Sequence, residues 1–141
     1  MNGTGLYLFV YGTLRKGFQN PVFKYLSDHF TYEADGKVKG RLYDLGEYPA
    51  AIPDGEDVYV KGELYKAKSA DEFNWAISQL DDYEGVNPGE GEQQLYERAA
   101  TTVFAGDKQY TAWIYWYKGD VHGKPFVESG DVMEYFKMKN K

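Results

Sequence analysis

The segment ADEFNWAISQLDDYE, Ala70 to Glu84, carries the clearest helical periodicity in the chain. At about 100° per residue, Phe73, Ile77 and Leu80 fall on one stripe. Asp71 and Glu72 stand at the favourable end of the helix dipole, and Gly85 supplies a stop. Everything around this helix reads as strand. Leu6 to Tyr11, LYLFVY, is apolar, too short for a helix, and ends at Gly12. Gly36 to Leu45 reads as a second strand, and Gly46-Glu47-Tyr48-Pro49 as a turn. Val58 to Ala67 sets Val58, Val60 and Leu64 against Tyr59, Lys61, Glu63 and Tyr65, the pattern of a half-buried strand. Tyr96–Phe104 and Gln109–Tyr117 form a hairpin joined around Ala105-Gly106-Asp107-Lys108. The second hairpin strand has aromatic residues on both faces, so both faces should be covered. Short helices are expected over 21–28, after Asn20-Pro21, and from Asp131 to Met138, with a polar, glycine-rich loop over 86–94. Strands interrupted by one long helix, without regular alternation, define an α+β domain on a mixed or antiparallel sheet rather than a doubly wound parallel fold.

A length of 141 residues with 43% hydrophobic content fits a single domain spanning 1–141. Sixteen Lys and Arg against 22 Asp and Glu leave a formal charge of −6, so the clustered cations that grip nucleic acid are missing. The chain contains no cysteine, which removes disulfides and thiolate chemistry. No run approaches the roughly 18 apolar residues of a membrane span, and the first residues show no secretory pattern. A cytoplasmic protein with no membrane partner is expected.

Two stretches can carry chemistry. Glu84 lies within about 40° of the Phe73, Ile77 and Leu80 stripe, in the last turn of the helix. Burial and the negative dipole end would both raise its pKa, the condition a general acid/base needs near neutral pH. Periodicity alone favours a half-solvated carboxylate at a fraying helix end, because unpaired carboxylates are rarely buried. In FVYGTLRKG, Phe9 to Gly17, a strand ending in Gly-Thr-Leu leaves successive amides unpaired, and the glycine admits close approach of a ligand. The spacing is not that of a phosphate loop. Asp81-Asp82-Tyr83-Glu84 lacks the ligand spacing of a calcium loop, and neither His29 nor His122 has a serine partner for a hydrolase triad. No metal site is expected. A paired-carboxylate glycosidase using Glu84 and Glu97 would require the two acids about 5–9 Å apart across a cleft.

In order along the chain, FVYGTLRKGFQN, the segment Leu45–Ala67, QLDDYEG, LYERAATTV and AWIYWY resemble the gamma-glutamylcyclotransferase-like family, which includes the gamma-glutamylamine cyclotransferases. The resemblance implies a small mixed β-barrel flanked by helices. It also implies an enzyme that releases 5-oxoproline and a free amine from a small gamma-glutamyl substrate. By the same resemblance Glu84 is the catalytic acid/base, and Tyr11, Gly12, Thr13 and Leu14 hold the glutamyl moiety. Tyr96, Arg98 and Tyr115 match supporting positions of the pocket. Such chemistry calls for no cofactor. A non-catalytic module binding a small metabolite or a protein on the same fold is the alternative.

Overall fold

The computed structural model of the chain describes residues 7–11, 28–45, 49–84, 96–131 and 135, with side chains in the helix through residue 81. The expected helix over 21–28 and the loop over 86–94 lie outside these residues, apart from Asp28. So does the closing helix beyond residues 131 and 135, between which the Tyr135 amide donates to the Asp131 carbonyl at 3.0 Å.

Six strands and one helix are described: β1 (Tyr7–Val10), β2 (Phe30–Asp44), β3 (Pro49–Pro53), β4 (Tyr59–Ala67), α1 (Ala70–Glu84), β5 (Tyr96–Ala105) and β6 (Lys108–Tyr117). The sheet order is β3-β2-β4-β1-β6-β5. A further β2–β5 pairing at Lys37 and Phe104 closes five of the strands into a barrel, with β3 attached to β2 outside the ring. Neighbours are antiparallel except β1 and β6, which run parallel with Leu8 opposite Trp113. The barrel is therefore mixed.

Strand alternation divides the apolar residues into two clusters. Tyr7, Phe9, Val38, Val60, Leu64, Ile114 and Trp116 meet in the barrel interior. Leu8, Val10, Phe30, Tyr65, Tyr96 and Tyr115 face outwards and are covered by Phe73, Ala76, Ile77 and Leu80 of α1. Burying side chains of this size is worth roughly 1.5–3 kcal/mol each. Helix α1 starts where Ser69 accepts the Glu72 amide at 3.1 Å, an N-cap that satisfies one of its orphan donors. Its outward face carries Trp75, 56% exposed, as the periodicity requires.

The closed ring needs sharp curvature, and glycine provides it. Gly36 and Gly62 are directly opposed across β2 and β4. A Cβ on Gly62 would run into the Val10 carbonyl oxygen and lie 2.7 Å from the Phe9 ring, so only a bare backbone fits. At the β5–β6 turn Gly106 takes φ 61°, which L side chains rarely adopt.

Three sequence expectations need correction. Strand β2 starts at Phe30, before the expected Gly36, because polar residues 31–37 pair with β4 through a bulge between Tyr32 and Ala34. Pro49 belongs to a strand, and β3 can hold prolines at both ends because it is terminal in the sheet order. The Glu63–Tyr65 face of β4 is buried, not open: Glu63 is 2% exposed and accepts the Tyr65 hydroxyl at 2.8 Å.

Candidate active site

The C-terminal ends of β1 and β6, the start of β5 and the last turn of α1 meet at one end of the barrel. Tyr11 follows β1, and its buried hydroxyl donates to the Tyr115 carbonyl at 2.7 Å. This joins the two parallel strands where β1 leads towards Gly12. The Tyr115 side chain turns the other way, under α1, and its hydroxyl donates to Oδ1 of Asp81 at 2.8 Å. Arg98 lies directly across the hairpin from Tyr115. Its Nε donates to Asp81 Oδ1 at 2.8 Å and its Nη2 to Oδ2 at 3.1 Å, a bidentate pair. The guanidinium carbon also lies 4.6 Å from the centre of the Trp113 ring, a cation–π contact. Tyr96 donates its hydroxyl to the Pro49 carbonyl at 3.1 Å and packs edge-on against Tyr117, tying the start of β5 to β3.

Asp81 is the residue that sequence reasoning missed. It is 7% exposed and accepts three hydrogen bonds from β5 and β6. With Phe73 set at zero, Ala76, Ile77, Leu80 and Asp81 fall at about 300°, 40°, 340° and 80° around the helix axis. The available signal was therefore a carboxylate on the flank of an apolar stripe. Its partners, however, stand on a different element, where helical periodicity gives no information. Glu84 is the final residue of α1, and its position at about 20° continues the middle of the same stripe.

The expected site residues thus divide. Tyr11, Tyr96, Arg98 and Tyr115 gather at this end of the barrel, with their polar groups engaged by other parts of the protein. Glu84 ends the helix that Asp81 fastens there, and Gly12, Thr13 and Leu14 lie outside the described residues. Glu97, the second acid of the glycosidase reading, alternates away from Tyr96 and Arg98. It is exposed and stands 3.7 Å from Lys118. His29 faces Glu72 at 3.4 Å and the edge of Trp75, near the N-terminal end of α1.

Among the described residues, no helix is long and apolar enough to cross a membrane. A closed mixed barrel with a helix along its wall, the helix's acidic end anchored at the rim, defines a gamma-glutamylcyclotransferase-like fold. The chain belongs to the family described as Gamma-glutamyl cyclotransferase, AIG2-like, whose profile matches residues 8–134. It is 30% identical over 132 residues to the gamma-glutamylcyclotransferase family protein YtfP of Escherichia coli, covering 90% of this chain and 96% of that protein. It is 32% identical over 114 residues to the gamma-L-glutamyl-butirosin B gamma-glutamyl cyclotransferase of Niallia circulans, covering 80% and 67% respectively. Among solved structures, YkqA from Bacillus subtilis superposes with a TM-score of 0.69 at 27% identity. That match takes in 96% of this chain and 43% of YkqA, so this chain spans less than half of that protein.

Proposed function

We propose that this protein is a cyclotransferase that converts a gamma-glutamyl amine or peptide into 5-oxoproline and a free amine. The α-amine of the glutamyl group attacks its own side-chain γ-carbonyl carbon. The new C–N bond closes a five-membered ring as the bond to the leaving amine breaks. Nucleophile and electrophile belong to one molecule, so the protein's work is to fold the substrate into attacking geometry and move two protons from the attacking nitrogen to the departing one. Glu84 takes one proton from the α-ammonium and gives it to the departing nitrogen, then takes a second from the same α-nitrogen as the ring closes and passes it to the released amine, which leaves as an ammonium. The amides of Gly12, Thr13 and Leu14 hold the glutamyl moiety, with Tyr11 at the root of that loop. Tyr96, Arg98 and Tyr115 frame the pocket wall.

One observation carries the reading. The Asp81 tie brings the end of α1, one turn short of Glu84, to the end of the barrel at which β1 and Tyr11 stop, immediately before Gly12-Thr13-Leu14 in the sequence. Family membership supports the same reaction class. The leaving amine is open among gamma-glutamyl dipeptides, gamma-glutamyl-ε-lysine and gamma-glutamyl acylated amines. One relative is named for gamma-L-glutamyl-butirosin B.

The test is release of 5-oxoproline from a panel of these three substrate types, followed by chromatography. The native protein turns over at least one type, and Glu84→Gln lowers turnover by about 10²-fold or more while the thermal transition is retained. Full turnover by Glu84→Gln would discard the mechanism. Inertness of the native protein towards the whole panel would favour the non-catalytic binding module.

A further inference from the structure

The last turn of α1 poses an electrostatic problem. Asp81, Asp82 and Glu84 place three carboxylates at the negative end of the helix dipole, and no basic residue lies in that turn. Like charges and an unfavourable dipole both promote fraying at such an end. The cation that answers them comes from another element. Arg98 of β5 presents Nε and Nη2 to the two oxygens of Asp81, and Tyr115 of β6 adds a third donor. Arg98 itself sits over the Trp113 ring. Because Arg98 and Tyr115 are cross-strand partners, Asp81 is gripped from two adjacent strands at one level of the hairpin.

We infer that Asp81 is a positioning residue whose three-point attachment to Arg98 and Tyr115 fixes the final turn of α1, and with it the backbone that carries Glu84. The consequence for catalysis rests on the function proposed above; the attachment of the helix end does not. A proton carrier displaced by about 1 Å loses rate without losing substrate affinity, at a cost that reaches about 10²-fold.

The experiment compares Asp81→Asn and the milder Tyr115→Phe with the native protein by hydrogen exchange and by steady-state turnover. Asp81→Asn keeps the shape of the side chain and removes its charge. The amides of residues 81–84 are expected to exchange about 10-fold or more faster, while those of 74–77 stay protected. Tyr115→Phe shifts the same four amides by a smaller factor and covers the case in which Asp81→Asn fails to fold. On the substrate that the panel identifies, kcat falls about 10-fold or more with KM within about 3-fold. Arg98→Lys, which keeps the charge without the fork, retains more of kcat than Arg98→Gln. Unchanged exchange at 81–84, or loss of protection spread evenly along α1, would overturn the inference. So would a fall in turnover that lies entirely in KM. If the native protein turns over no panel member, the proposed function fails, and the exchange arm still decides whether Asp81 holds the helix end.

Discussion

The energy of the Asp81 attachment can be measured by a double-mutant cycle. Asp81→Ala deletes an acceptor of three hydrogen bonds and leaves Arg98, whose side chain is 25% exposed, without its counter-charge. Arg98→Ala leaves the Asp81 carboxylate, 9% exposed in its side chain, uncompensated at a helix C-terminus. Breaking one partner of a largely buried pair costs about 3 kcal/mol. With both removed, no stranded charge remains, so the double variant should lose about 3–4 kcal/mol in total rather than the sum, a coupling of about 2–3 kcal/mol. Tyr115→Phe removes one hydrogen bond and should cost about 1 kcal/mol. For a domain of this size, each single charge removal lowers Tm by about 10 °C. Urea unfolding followed by tryptophan fluorescence gives the four free energies, and a constant m-value licenses their comparison. Additivity within about 0.5 kcal/mol would show that Asp81 and Arg98 are independent and refute the attachment as an energetic unit.

Two further predictions concern the frame. Gly62→Ala pushes a methyl into the Val10 carbonyl and the Phe9 ring, and Phe9 is 1% exposed with no room to turn, so a loss of about 3 kcal/mol is expected in urea unfolding. A loss below about 0.5 kcal/mol would mean that β1 and β4 separate more easily than their packing implies. Asp54 is held below the usual carboxylate range by the Glu56 amide and then by the Arg41 side chain. A lowered folded pKa contributes stability that is present above the unfolded value, about 3.9, and lost as pH falls through the folded one. The Tm gap between the native protein and Asp54→Asn should therefore be full near pH 6 and close below about pH 4. A gap that stays constant to low pH would exclude Asp54 as its source.

Much of this fold was legible because local signals agreed with the tertiary outcome. Helix α1 runs over the expected Ala70–Glu84, since the polar start, the apolar stripe and the glycine stop all point one way. The aromatic alternation of β6 foretold two covered faces, one in the barrel and one under α1. What escaped was set by distant partners. Strand β3 hid behind prolines that only its terminal place in the sheet order permits, and the polar first half of β2 is a strand because β4 is beside it. Glu63 looked solvent-facing because alternation does not say what will cover the second face. At the candidate site, helical arithmetic singled out Glu84 and passed over Asp81. A carboxylate's meaning depends on which cation reaches it, and that pairing joins a helix to a strand 17 residues further along the chain.

The parallel pairing of β1 with β6 sets an order of events during synthesis. The partner on one side of Leu8 is Trp113, about 100 residues later in the chain. At typical ribosomal speeds of about 5–20 residues per second, that edge of the first strand waits roughly 5–20 s for its mate. Through that interval the nascent chain exposes an apolar edge to any neighbouring strand. Slowing translation within β5 should therefore increase aggregation of the newborn protein more than an equal pause after Tyr117.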